Sequence, residues 1–209
     1  MELKIIKPFG PSILLSQIPD KIVKDLNNYV DGIIEDKNKS NELDFGNNLA
    51  GDVTQEFKLE KDFADKIGWT DFLAKCVYTW IEKELNQKIT KFNILESWIV
   101  RQFKDEYNPV HYHNGHISGA GYLKVPNSFG KFVQNKDKTF QGGDLNLIHG
   151  SKQFLSKSIF QIKPKVGNFY FFPHYLMHTV YPFNGTNEER RSISFNAKID
   201  DEIFDVFKN

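Results

Sequence analysis

The sequence predicts a mainly β sandwich or barrel backed by N-terminal helices, and three observations carry that prediction. After Gln87 the apolar positions stop recurring at a helical period and recur at a period of two. Short strand-like runs then follow one another roughly every ten residues, most of them separated by glycine or proline. The 19 phenylalanines suit a core built from strands, where aromatic side chains pack well on a pleated surface.

The elements are predicted in order along the chain. A short strand falls over residues 10–16. From Pro19 to Ile34 the positions Ile22, Leu26, Tyr29, Val30 and Ile33 keep helical spacing, with Pro19 where a helix start tolerates proline. Residues 35–52, polar and turn-rich through Asp36 to Glu42 and Gly46-Asn47-Asn48, read as a loop. Thr70 is placed as the cap of a second helix whose apolar stripe is Phe72, Leu73, Cys76, Val77, Trp80, Ile81 and Leu85. In the β region, Ile94, Trp98 and Val100 alternate with Ser97 and Arg101, and further strands fall at 118–126, 129–133, 144–149, 158–163, 168–173, 178–183 and 190–199. No repeat, low-complexity tract or linker divides the chain. It therefore reads as one domain over 1–209, with 1–90 as helical support and 91–200 as the β core.

Composition narrows the partners. Lysine plus arginine and aspartate plus glutamate balance at 27 each, so no global field draws the chain onto phosphates or anionic lipid, and nucleic acid is not expected. No apolar run approaches the roughly 18 residues of a membrane span. Met1 to Lys7 lack the pattern of a secretory leader, and Cys76, the sole cysteine, permits no internal disulfide. These features suit a soluble protein of the cytoplasm. A sandwich with exposed strands is also able to form a homodimer.

Candidate chemistry concentrates in the second half. Three of six histidines lie between His111 and His116. In an extended strand, residues two apart share a side with Cα atoms about 6.6 Å apart, so His111 and His113 can reach one metal ion. A third ligand must come from elsewhere. His178 is the natural candidate, following the buried run Phe169-Tyr170-Phe171-Phe172-Pro173 and placed at the far end of that strand. Imidazole suits iron, copper, nickel and zinc, and two histidines with a carboxylate form the open facial set of iron(II) oxygenases. Here the middle position is His113 rather than an acid. The plainer reading of His-x-His is a surface accident, and His149 and His174 read as packing or supporting histidines.

On the last strand Arg190 and Ser192 share a face with Ser194 and Asn196, while Ile193 and Phe195 occupy the other. A guanidinium fork can hold a carboxylate through two charge-assisted hydrogen bonds, with the Ser192 hydroxyl adding a third, so this face offers an anion seat. Tyr122 can donate its phenol to the same anion. The plainer alternatives are an edge strand with Arg190 in solvent and a Tyr122 that only packs.

Taken in order, these motifs resemble the 2-oxoglutarate- and iron(II)-dependent dioxygenases, specifically their prolyl-4-hydroxylase-like branch and its phage and bacterial members. His111-Tyr112-His113 followed by Ser118-Gly119 and Tyr122-Leu123 is similar to the first ligand motif and the tyrosine strand. Gly142-Gly143-Asp144-Leu145 resembles a Gly-Gly-acid-Leu turn. Pro164-x-x-Gly167, Phe171-Phe172-Pro173, His178-x-Val180 and Arg190-x-Ser192 resemble the last ligand and the co-substrate arginine, and the likeness runs from Ile94 to Ile199. It implies a double-stranded β-helix, a cupin-like jelly roll with helices packed outside. It also implies Fe(II) on His111, His113 and His178, and 2-oxoglutarate with its distal carboxylate on Arg190, Ser192 and Tyr122. Dioxygen would be consumed, and a small-molecule or peptidyl substrate hydroxylated with release of succinate and CO2. His113 departs from the family acid, so either three histidines bind the metal or the set includes His116 or an acid such as Asp105. His178 and Arg190 are twelve positions apart, a long gap that leaves Arg191 as a weaker candidate, although only Arg190 shares the face of Ser192. The alternatives outside this class are a cupin-type metal- or sugar-binding barrel and a catalytically silent structural protein.

Overall fold

A computed structural model describes residues 10–205; Met1 to Lys7, read above for a leader, lie outside them. The chain runs β1 (Leu14–Gln17), α1 (Asp20–Glu35), α2 (Lys37–Glu42), β2 (Gln55–Lys58), α3 (Lys61–Ile67), α4 (Trp69–Leu85), β3 (Phe92–Gln102), β4 (Asn108–His111) and β5 (Ile117–Lys124). It continues through β6 (Leu145–Ile148), β7 (Ile159–Ile162), β8 (Asn168–Pro173), β9 (Met177–Val180), β10 (Arg190–Ile199) and α5 (Asp201–Phe204).

Two antiparallel sheets result, one ordered β1-β8-β5-β10-β3-β2 and the other β4-β9-β6-β7. From β3 to β10 the strands wind between the two sheets, which is the double-stranded β-helix. Each sheet face has its own core. The outer face of the six-stranded sheet presents Ile99, Phe169, Phe171, Ile193 and Phe195 to the α1 stripe of Ile22, Leu26, Val30 and Ile33 and to Trp69, Leu73 and Val77 of α4. Between the sheets a smaller cluster holds Tyr122, Leu145, Leu147, Ile162, Phe172 and Val180. Apolar burial on this scale is the main favourable term in folding.

The structure amends several sequence expectations. Residues 35–52 are not a plain loop, because Asp36 ends α1 and its carboxylate accepts from the backbone of Asn38 and Lys39, starting α2. The second large helix begins at Trp69, not at a Thr70 cap: Gly68, at φ 81°, closes α3 and opens α4. Residues 129–133 form no strand. The N-terminal region is not purely helical, since β1 and β2 add strands to the edges of the six-stranded sheet. Finally, Ile94 and Trp98 have the same sequence parity but opposite faces. Asn196 pairs with Glu96 and Ala197 with Ile94, so Leu95 is an extra bulged residue. That bulge turns Glu96 and Trp98 inward, between the sheets, and leaves Ile94 against the helices.

No helix among the described residues is long and apolar enough to cross a membrane.

Candidate metal centre and anion pocket

A cleft of about 210 Å³ opens between the two sheets, and His111, His113 and His178 line it together with Arg190 and Ser192. Their positions follow from strand pairing. β4 and β9 are antiparallel neighbours with His111 directly opposite His178, so His178 sits on β9 and not at the end of the preceding strand. His113 lies beyond the end of β4, not on one strand face with His111. Its backbone N–H donates to the His174 carbonyl at 3.0 Å, and its own carbonyl accepts from His174 Nδ1 at 2.9 Å. His174 thus braces the segment that presents His113.

The ligand atoms of the three histidines lie within 4.8 Å of one another. His111 Nδ1 donates to the Pro109 carbonyl at 2.7 Å, and His178 Nδ1 donates to the Leu176 carbonyl at 2.9 Å. A carbonyl can only accept, so each Nδ1 carries the proton and each Nε2 presents a lone pair inward. His113 Nε2 stands 3.0 Å from His178 Nε2. Two nitrogens each about 2.1 Å from one ion at a right angle would be about 3 Å apart, so the pair has the spacing of adjacent ligands. Burial, reinforced by the neighbouring imidazoles, pushes His113 down to about 2, and burial with His111 pushes His178 down to about 4. Burial also lowers His111. The cluster is therefore neutral near pH 7, the state that binds metal.

The other candidate ligands are elsewhere. His116 faces away from the cleft, stacked on Phe204, and its Nδ1 accepts from the Ile199 backbone. Asp105 is exposed beside Lys104. His149 is exposed at the end of β6.

At the cleft's inner end Arg190 is only 2% exposed. Its Nε donates to the Gly143 carbonyl at 3.0 Å and its Nη1 to Ser192 Oγ at 3.3 Å, and no carboxylate pairs with it among the described residues. The Gly142-Gly143 turn explains itself here: Gly143 adopts φ 80°, and a Cβ would meet the Phe129 ring at 2.3 Å, so only glycine delivers that carbonyl. Tyr122 is fully buried with the Arg190 guanidinium 5.1 Å from its ring centroid, and its hydroxyl has no hydrogen-bond partner. Burial pushes that phenol up to about 12, so it remains a donor. Arg191 points to the opposite face, where Glu189, Asp31 and Asn27 saturate it.

Sequence reasoning missed one cleft residue. Glu56, on β2, is 3% exposed and lines the cleft, and burial followed by the nearby Asp44 raises its carboxyl to about 7. The alternation Glu56-Phe57-Lys58-Leu59 was the available signal for its strand.

A jelly roll that brings three neutral imidazoles and a buried arginine into one cleft suits a non-haem metal enzyme. Residues 96–196 match the sequence-family model described as "Putative 2OG-Fe(II) oxygenase". That match spans just under half of the chain, and His111, His113 and His178 form a cluster able to hold the iron(II) that the description names. No curated protein sequence matches it. Its fold is similar to that of a Pseudomonas putida prolyl-4-hydroxylase (TM-score 0.58, 13% identity, 90% of this chain and 93% of that one). It is also similar to a Trichoplax adhaerens prolyl hydroxylase in complex with a hypoxia-inducible-factor peptide fragment (0.55, 14%, 96% and 88%). A third is HygX from Streptomyces hygroscopicus with nickel, 2-oxoglutarate and hygromycin B bound (0.54, 13%, 88% and 82%).

Proposed function

We propose that the chain hydroxylates a small-molecule or peptidyl substrate, consuming dioxygen and 2-oxoglutarate and releasing succinate and CO2, with His111, His113 and His178 as metal ligands and Arg190, Ser192 and Tyr122 as the co-substrate seat. The observation that carries this reading is Arg190, a guanidinium buried beside a metal-competent cluster and in ion-pair contact with no carboxylate among the described residues, since the neighbouring Asp144 is held by Gln161. A buried charge is costly unless paired, and an incoming carboxylate supplies the pair. The Tyr122 hydroxyl, buried beside the Arg190 guanidinium, supplies a further donor to that anion.

When bound, iron(II) and 2-oxoglutarate supply the oxidising power for hydroxylation. The protein's own work is positional. Pro109 and Leu176 carbonyls fix the tautomers of His111 and His178. His174 anchors His113. Gly143 and Ser192 aim Arg190. Leu145, Phe172 and Val180 keep the cleft wall apolar. Three neutral histidines leave the metal site one unit more positive than a set containing a carboxylate, which favours the anionic co-substrate. The half-buried free thiol of Cys76 fits a reducing, cytoplasmic setting.

Iron(II)-loaded protein incubated with 2-oxoglutarate is expected to form succinate, and His178→Ala to bind neither iron nor turn over. Equal iron binding by wild type, His111→Ala and His178→Ala would overturn the ligand set.

A further inference from the structure

The cleft is electrically polarised. Arg190 occupies the inner end of the β10 face, and Asn196, six residues further along that strand, marks a region on the order of 20 Å away. There Asn196 Nδ2 donates to Glu96 Oε1 at 2.7 Å. Glu56 stands on the adjoining edge strand. It pairs in register with Val100, and Val100 pairs with Ser192, so the three share one face of the sheet, with Glu56 about 10 Å across from Ser192.

Glu56 is the unusual member. It is 3% exposed, yet among the described residues no hydrogen bond or ion pair engages its carboxylate. Asp44, the nearest charged group, has the same sign. The segment from Asn48 to Asp52 folds over it: Asn48, Leu49 and Ala50 line the cleft, and a Cβ at Gly51 would lie 2.8 Å from Glu56 Oε1. A carboxylate so desolvated and left without a donor weakens the fold unless something supplies positive charge. Among the described residues none is supplied on this side, since the one guanidinium lining the cleft is Arg190.

We propose that Glu56 receives a cationic nitrogen of the primary substrate, so that this oxygenase acts on an amine- or guanidine-bearing molecule. The inference rests on the oxygenase reading, because it takes the space between Glu56 and the histidines as the substrate's place. Cation at one end and reacting carbon near the metal would set which carbon is presented. A free amine and a lysine or arginine side chain of a peptide offer the same chemistry at Glu56.

The test uses the chain loaded with nickel(II), which binds in place of iron without turnover, and with 2-oxoglutarate. Binding of two matched probe pairs is measured by calorimetry: N-acetyl-lysine methylamide against N-acetyl-norleucine methylamide, and 1,4-diaminobutane against 1,4-butanediol. Wild type is expected to bind at least one cation tenfold or more tightly than its neutral match, and the pair that shows this separates peptidyl from free amines. Glu56→Gln is expected to reduce that preference to within twofold. Ala50→Lys, which tethers an ammonium on the covering loop, is expected to reduce it as well and guards against a folding defect in the first variant. Equal binding of cations and neutral matches, or an undiminished preference in both variants, overturns the inference. Nickel and 2-oxoglutarate affinities are read first; if wild type binds neither, the oxygenase reading fails and this inference falls with it.

Discussion

Arg190 and Arg191 leave β10 on opposite faces, and their surroundings predict opposite phenotypes. Arg191 is saturated by Glu189, Asp31 and Asn27, so Arg191→Ala removes a buried ion-pair network, leaves Glu189 to Arg101 and Lys124, and is expected to lower the melting temperature, by an amount corresponding to about 2–3 kcal/mol. Arg190→Ala removes a cation that forms no direct ion pair among the described residues. It is expected to leave the fold largely intact while weakening 2-oxoglutarate binding by about 2–5 kcal/mol, roughly 30-fold to several thousand-fold, as titration calorimetry would show. Glu56 predicts a pH signature. Its folded-state carboxyl is raised to about 7 from 4.5, so between those values the folded chain holds the extra proton. Stability is therefore present at the low end and lost as pH rises through the window, by up to about 3 kcal/mol. The lowered histidines act with the opposite sign, between about 4 and 6.5 for His178: the unfolded chain takes up protons first there, so stability falls as pH drops. Urea midpoints of metal-free wild type and Glu56→Gln, compared at pH 5 and pH 8, separate the two. The variant should gain relative to wild type only at pH 8.

At the level of elements, the proposed metal centre joins a strand pair to a loop. His111 and His178 face each other across β4 and β9, whereas His113 is held past the strand end by its hydrogen bonds with His174. If His113 is a ligand standing where the family has an acid, His113→Asp should keep iron and 2-oxoglutarate turnover uncoupled from substrate, and His113→Ala should lose much of its iron affinity. His116→Ala should bind iron normally and instead loosen the β10 terminus, where His116 accepts from Ile199. Iron loss confined to His116→Ala would reverse that assignment. The α1 stripe and most β strands were legible because their apolar periods are long enough to stand out. The opposed faces of Ile193 and Ser192 were legible for the same reason. Short elements were not: β2 spans four residues, and with it went Glu56. The bulge at Leu95 was equally invisible, because one extra residue reverses facing without changing composition. The bracing of His113 by His174 depends on a loop closure that no local pattern encodes.

For the whole molecule, the cleft exists only when both sheets are closed upon each other. The six-stranded sheet contributes Arg190, Ser192 and Tyr122, while β4 and β9 of the other contribute His111 and His178. Metal and co-substrate should therefore bind the native chain and not the unfolded one, raising stability by about 2.7 kcal/mol for a ligand at a hundred times its dissociation constant. A metal chelator should lower the melting temperature accordingly, and an unchanged midpoint would mean the metal does not bind the closed form.

The separation of 65 positions between His113 and His178 adds a kinetic consequence. Contacts so distant in sequence form late, after most loop-closure entropy has been overcome. An ion that needs all three imidazoles has little to hold in the folding transition state, so it should leave the rate of refolding nearly unchanged and act on the rate of escape from the native basin. Iron would then serve this chain as a latch on unfolding: stopped-flow chevrons should show a depressed unfolding limb with metal and a superimposable refolding limb, and acceleration of refolding would mean the histidines gather early.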